Sequence, residues 1–171
     1  LCWGAFAALP ENGAGVGVRL ALAGRRGWDE GPIFEEIECR SLKDRVIHVA
    51  EPDDELLVAL MNSAIAMVYP SLYEGFGLPV IEAMACGCPV IAATRASLPE
   101  VAGDAGILIN PENTDEIAGA MARMLCDAAL RRRLSERGLA RAQEFTWERV
   151  AERTLEVYER AAATPEGRRD Q

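Results

Sequence analysis

The sequence predicts an α/β fold in which an open parallel sheet is flanked by helices. Short aliphatic runs alternate with helical patterns along the chain, an order typical of parallel strands joined by right-handed helical crossovers. Glycine and proline separate many of these runs, as expected for the loops of such a fold. With 171 residues, 50% of them hydrophobic, the chain suits a single domain with its own core.

The individual elements follow from these patterns in order. An apolar helical pattern covers residues 1–9. Runs rich in β-branched and aliphatic residues predict strands at 18–23, 46–49, 65–69, 90–93 and 107–109. Helical spacing of apolar residues predicts helices at 33–39, 53–62, 78–86, 98–101, 115–125, 128–143 and 147–162.

Polar residues mark where several of these helices begin. Thr114, Asp127 and Thr146 stand at N-cap positions, where a side-chain oxygen accepts a hydrogen bond from an amide of the first turn. Ser97 and Glu100 have the spacing of a capping box. These residues predict the starts of four helices.

The most informative pattern is PSLYEGFGLPVIEAM over residues 70–84. Pro79 suits the first turn of a helix, because its missing N–H would be unpaired there in any case, and Gly87 suits the helix end. The glycines before the helix let backbone amides approach a ligand at the helix N-terminus, where about half a positive charge accumulates. We therefore predict a site for phosphate or another anion.

Two carboxylates accompany this loop. Glu74 lies in the loop itself, and Glu82 lies in the first turns of the helix, whose side chains lean back toward its N-terminus. Each has an ordinary explanation when taken alone: Glu74 as the partner of a surface arginine, and Glu82 as compensation of the helix dipole. Together, with the glycines between them, they favour contact with a ligand.

Residues 68–110 resemble the C-terminal domain of the retaining glycosyltransferases of family 4, which have the GT-B fold. Glu74 and Glu82 match the family's two glutamates, which are separated by seven residues. The resemblance continues upstream through VRLALAGRRGW and downstream through FTWERVAERTLEVYE, so that it covers nearly the whole chain.

The resemblance implies transfer of a sugar from a UDP-, GDP- or ADP-linked donor to an acceptor, with retention of anomeric configuration and with no metal or other cofactor. It gives Glu74 the catalytic contact with the donor sugar and gives Glu82 the hydroxyls of the ribose. The further donor-binding residues that it implies are Gly75, Phe76, Gly77, Leu78, Val49, Ala50, Glu51 and Pro52.

Parts of the family's structure have no match here. These are the first strand with its phosphate-binding turn, which carries a basic pair, and the N-terminal acceptor domain. We therefore expect a Rossmann-like nucleotide-sugar-binding domain over residues 1–163 that lacks its first strand, with a disordered tail over residues 164–171. The missing N-terminal domain is an expected partner.

The last predicted helix carries an apolar stripe formed by Trp147, Val150, Ala151, Thr154 and Tyr158. In the family this helix crosses back toward the N-terminal domain. Because an uncovered stripe and unpaired strand edges invite association, we expect the isolated chain to self-associate, which sedimentation at high concentration would show.

Composition narrows the classes of partner. The chain has 27 acidic and 18 basic residues and a net charge of -9, which argues against nucleic acid and anionic membranes as main partners. No apolar run approaches the ~20 residues of a membrane-spanning helix. We expect a cytoplasmic protein whose contact with a membrane is at most peripheral and made by the missing half.

The five cysteines are odd in number and lack the spacing of a zinc site. They predict buried thiols in a reducing compartment and no metal centre. The single histidine, His48, lies in an apolar strand pattern and is predicted to be structural.

Three alternatives to a transferase remain. A glycoside hydrolase would need its carboxylates roughly 5–9.5 Å apart, whereas eight residues span about 12 Å even in a helix. A non-catalytic nucleotide-sugar-binding module is favoured by the missing basic pair and partner domain. A protein-interaction domain would leave the glycine loop and both glutamates unexplained. The sequence leaves the donor base, the sugar and the acceptor open.

Overall fold

The computed structural model describes residues 2–9, 15–25 and 31–163, so the predicted disorder of 164–171 lies outside the described residues. The strands are β1 Leu20–Ala23, β2 Val46–Val49, β3 Met67–Tyr69, β4 Val90–Ala93 and β5 Gly106–Ile109. The helices are α1 Cys2–Ala7, α2 Gly31–Cys39, α3 Asp54–Ser63, α4 Leu78–Ala85, α5 Leu98–Ala102, α6 Thr114–Cys126, α7 Ala128–Ala142 and α8 Trp147–Ala163.

The predicted alternation of strands and helices is confirmed, and the boundaries differ only slightly. The strand predicted from residue 18, for example, begins at Leu20. The strands form two parallel sheets, β1-β2 and β3-β4-β5. The fold is therefore Rossmann-like, with helices between successive parallel strands.

The edges of β1 and β3 line one cleft of about 1100 Å³. Among the described residues, β1 pairs only with β2, and β3 pairs only with β4. This break in the hydrogen bonding agrees with the prediction that the sheet lacks one strand. Since backbone groups of an edge strand have no partner on one side, the cleft exposes two such edges.

Strand β4 forms the centre of the core, because all four of its residues are buried. Ile91 in β4, Met84 in α4 and Leu98 in α5 are among the largest fully buried side chains. Helix α7 packs closely on α4 at Gly138, where an added Cβ would lie 3.3 Å from the Cγ of Met84. The core thus holds α4 between β4, α5 and α7.

The N-cap predicted for α6 is wrong. The N-cap of α6 is Asn113 and not Thr114, because the Asn113 Oδ1 accepts hydrogen bonds from the amides of Asp115 and Glu116, both at 3.1 Å. Asparagine is the stronger cap of the two residue types. The caps at Asp127 and Thr146 are confirmed, with acceptor distances of 2.8 and 3.3 Å.

Helix α8 lies apart from the core, and none of its residues is buried. Trp147 and Tyr158 of the predicted stripe are 78% and 67% exposed. The stripe is therefore open to a partner, and self-association of the chain stays a prediction.

In the part of the chain that the structure describes, no helix combines the length and the apolar character needed to cross a bilayer.

Candidate functional site

The candidate site lies where β3 ends and α4 begins. Helix α4 starts after Gly77, whose backbone is left-handed (φ 101°, ψ 39°), and it has a proline in its first turn. It ends as predicted at Gly87: the Gly87 amide donates to the Met84 carbonyl and the Cys88 amide to the Ala83 carbonyl, both at 2.9 Å. Such paired bonds define a Schellman end, so local chemistry specifies both ends of α4.

Gly77 is buried against α5. A Cβ on this residue would lie 2.7 Å from the Leu98 Cδ2, and Leu98 is fully buried. The positive φ and the close approach both require glycine here. By contrast, Gly75 has open space around its Cα.

The amides of residues 75–78 are available at the helix start. Among the described backbone groups, none of these four amides donates to a carbonyl of a turn or loop. Gly75, Phe76 and Leu78 are exposed, whereas Gly77 is buried. Free amides at a helix N-terminus carry partial positive charge, which is the arrangement that the anion site requires.

Glu74 is held by a tyrosine at the end of β3. The Tyr69 hydroxyl donates a hydrogen bond of 2.7 Å to the Glu74 Oε1, a length typical of a bond to a charged acceptor. The predicted alternative, in which Glu74 pairs with a surface arginine, is wrong among the described residues, because its partner is this hydroxyl.

Glu82 lies on the exposed side of α4. With Tyr69 and Pro79 it lines the cleft between β1 and β3. Within the described ranges, its carboxylate has neither a hydrogen-bond nor an ion-pair partner. It is therefore free to accept hydrogen bonds from a ligand in the cleft.

Both glutamates act on Tyr69. Burial, then the hydrogen bond to Glu74, then the negative charges of Glu74 and Glu82 raise the pKa of Tyr69 to about 12. The two carboxylates of the sequence pattern are thus both close enough to this phenol to disfavour its ionisation.

Ser97 does not form the predicted capping box. Its own backbone is helical, and its side chain caps no amide of α5. Instead the hydroxyl donates to the Phe76 carbonyl at 2.8 Å, with the Glu74 carbonyl at 3.4 Å. A hydroxyl has one proton to donate, and the loop carbonyl receives it in place of the cap.

The loop predicted to bind the base follows β2. Ala50 and Glu51 are exposed, and Val49 and Pro52 are partly buried. Glu51 has a positive φ of 48° and forms an ion pair of 3.1 Å with Arg25. Across the described ranges, no hydrogen bond or ion pair joins this loop to residues 74–78, so the assignment of residues 49–52 to the base stays a prediction.

The predicted environment of the thiols is wrong in part. Cys39 and Cys126 are exposed and Cys86 is partly buried. Of the four cysteines whose side chains the structure describes, only Cys88 is buried. Helix ends place the first two at the surface, since they close α2 and α6. Burial raises the pKa of the Cys88 thiol to about 11, so it stays protonated at neutral pH and is a poor nucleophile.

Sequence analysis missed Tyr69 and Ser97 as parts of the site. The available signal for Tyr69 was its hydroxyl group at the carboxyl end of a strand, directly before the loop. For Ser97, the spacing of a capping box pointed to an amide of α5 and not to the Phe76 carbonyl.

His48 is structural as predicted. Its ring meets that of Phe34 edge-on, with 5.6 Å between ring centroids, and its Nε2 lies 3.2 Å from the Gly24 carbonyl oxygen, within hydrogen-bonding distance.

Parallel strands flanked by helices define a Rossmann-like domain of the kind found in GT-B enzymes. Residues 3–141 match the family model of glycosyl transferases group 1. The chain belongs to this family of glycosyltransferases.

Its relatives carry transferase names. The O-antigen chain mannosyltransferase B of Escherichia coli is 40% identical over 139 residues, which are 81% of this chain and 36% of that protein. The MMP alpha-(1->4)-mannosyltransferase of Mycolicibacterium hassiacum is 42% identical over 137 residues, 78% of this chain and 33% of that one. This chain therefore spans about a third of the length of these relatives.

A solved structure supports the fold. The sucrose-phosphate synthase of Thermosynechococcus elongatus superposes with a TM-score of 0.81 at 34% identity, over 95% of this chain and 42% of that one. The similarity extends beyond the range of the family model and includes nearly all of the described elements.

Proposed function

We propose that this chain is the donor-binding half of a retaining glycosyltransferase that takes its sugar from a nucleoside diphosphate. The observation that carries the proposal is that Glu74 and Glu82 both lie near the Tyr69 hydroxyl, where the glycine loop leads into α4. The mannosyltransferase names of two relatives support the reaction class.

The chemistry of the site suits such a donor. Glu82, which is exposed in the cleft, would accept hydrogen bonds from the ribose hydroxyls. The amides of residues 75–78 at the start of α4 would bind phosphate oxygens. Glu74 would accept from the hydroxyls of the sugar. Charge develops on the departing diphosphate in the transition state, and fixed amide dipoles stabilise it there without reorganisation.

The acceptor would be held by a second domain. The relatives are about three times as long as the matched region, and α8 offers an exposed apolar stripe that such a domain would cover.

Calorimetry on the isolated chain tests the proposal. Of a panel of UDP-, GDP- and ADP-linked sugars, we expect one base to bind with a Kd of about 1 μM to 1 mM, the usual range for enzyme substrates. Turnover by the chain alone should be absent, because catalysis requires both substrates to be positioned together.

Failure of every nucleotide to bind a folded chain, judged by circular dichroism, would contradict the proposal. The complete protein would then be mixed with the donor that binds and with a cell extract that contains candidate acceptors. Binding of the donor without sugar transfer in that mixture would instead favour the non-catalytic nucleotide-sugar-binding module. Free nucleoside diphosphates serve as controls, since they carry the base and phosphates but no sugar for Glu74.

A further inference from the structure

Glu74 lies in a loop segment whose own sequence restrains its backbone little. It is followed by Gly75, around which there is open space, and by the left-handed Gly77. Glycine loses more backbone freedom on ordering than any other residue. A carboxylate that must meet a sugar hydroxyl to within a few tenths of an ångström therefore needs restraint from outside the loop.

Two hydroxyl groups on different elements provide that restraint. The Ser97 hydroxyl, at the start of α5, holds the main chain through the Phe76 carbonyl at 2.8 Å. The Tyr69 hydroxyl, at the end of β3, holds the Glu74 carboxylate at 2.7 Å. Ser97 thus fixes the path of the loop, and Tyr69 fixes the direction of the side chain.

The bond from Tyr69 occupies only part of the carboxylate. A carboxylate has two oxygens with about four acceptor positions, and the hydroxyl uses one position on Oε1. In the described part of the chain, Oε2 has no hydrogen-bond partner. The arrangement leaves that oxygen to a ligand while the hydrogen bond restrains rotation of the carboxylate.

We propose that Tyr69 is a positioning residue for Glu74, and that its hydroxyl orients the carboxylate toward the donor sugar. The inference rests on the proposed function. Tyr69 itself acts through Glu74 and makes no contact with the reacting atoms. Because Glu82 and the amides of 75–78 hold the nucleotide, loss of the Tyr69 hydroxyl affects turnover and leaves donor affinity nearly unchanged.

The first test is steady-state kinetics on the complete enzyme with Tyr69→Phe. We expect kcat to fall about 10- to 100-fold, with the KM for the donor changed less than about threefold. Tyr73→Phe is the matched control, because it removes the same group from a side chain that is 83% exposed. A kcat for Tyr69→Phe within twofold of the wild type would overturn the proposal.

A double-mutant cycle separates positioning from a general effect on the fold. In a Glu74→Gln background, Tyr69→Phe should change kcat less than about twofold, since the carboxylate that the Tyr69 hydroxyl orients is already absent. An equal fold-decrease in both backgrounds would show a structural role and overturn the proposal. If Glu74→Gln alone leaves kcat unchanged, the proposed function of Glu74 fails, and the positioning role fails with it.

A spectroscopic measurement tests the hydrogen bond without reference to activity. Among the described residues, Glu74 and Glu82 are the groups whose charges act on the phenol. In a protein labelled with ¹³C at the tyrosine Cζ, Tyr69 should still give the signal of a phenol at pH 11, and Glu74→Gln should move its ionisation to lower pH. No change with Glu74→Gln would overturn the positioning role and leave the proposed function standing.

Discussion

Replacement of Gly77 with alanine is expected to lower the free energy of unfolding by about 2–4 kcal/mol. The left-handed backbone of this residue (φ 101°) costs a non-glycine residue about 1–3 kcal/mol. The new Cβ would also lie 2.7 Å from the Leu98 Cδ2. Because Leu98 is fully buried, the neighbouring core must move to relieve this contact, which typically adds at least 1 kcal/mol.

The matched control is Gly75→Ala in the same loop. Gly75 lacks a positive φ and has nothing within 4 Å of its Cβ position, so we expect a change within about 0.5 kcal/mol. Urea denaturation followed by circular dichroism measures both variants. Equal stabilities of the two would show that neither the backbone conformation nor the contact with Leu98 constrains the loop.

Local chemistry explains why α4 could be predicted almost to the residue. The proline of its first turn and the left-handed Gly87 act within a few residues of the helix ends, and their effects do not depend on the rest of the fold. The same holds for Asp127, whose side chain reaches an amide three residues further on. A short continuous apolar run likewise located β4, all of which is buried.

The contacts that complete the site could not be predicted in this way. Ser97 lies 21 residues from Phe76 in sequence, and one sequence gives no information on which distant groups meet. At Ser97 a local rule predicted a cap, but the tertiary contact with the loop prevailed. Tyr69 is only five residues from Glu74, yet their bond depends on how the glycine loop turns back.

The division of the sheet has a similar origin. Apolar runs predict strands but not their pairing, so the break between β1 and β3 followed only from comparison with a family. The exposed Cys39 and Cys126 show the same limit. Thiols are usually buried, and the position of these two at helix ends decides otherwise.

The two glutamates should separate binding from turnover in the complete enzyme. Glu82→Ala is expected to weaken nucleotide binding by about 1.5–3 kcal/mol, the usual value of a hydrogen bond to a charged group, or about 10- to 150-fold in Kd. Its carboxylate is exposed and lines the cleft. Its removal therefore leaves no buried group unpaired, and the fold should stay intact.

Glu74→Ala should lower kcat instead of weakening nucleotide binding. A preorganised group at the reacting sugar typically contributes about 10²–10³ in kcat, whereas the nucleotide keeps Glu82 and the α4 amides, so that its Kd should change less than about threefold. Calorimetry with the free nucleoside diphosphate and initial rates with the donor measure the two effects separately. Glu136→Ala is the control, because this exposed glutamate lies on α7 in a surface pair with Arg132 at 3.8 Å. Equal effects of Glu74→Ala and Glu82→Ala on Kd would contradict the division of roles. Both carboxylates would then contribute to binding of the nucleotide.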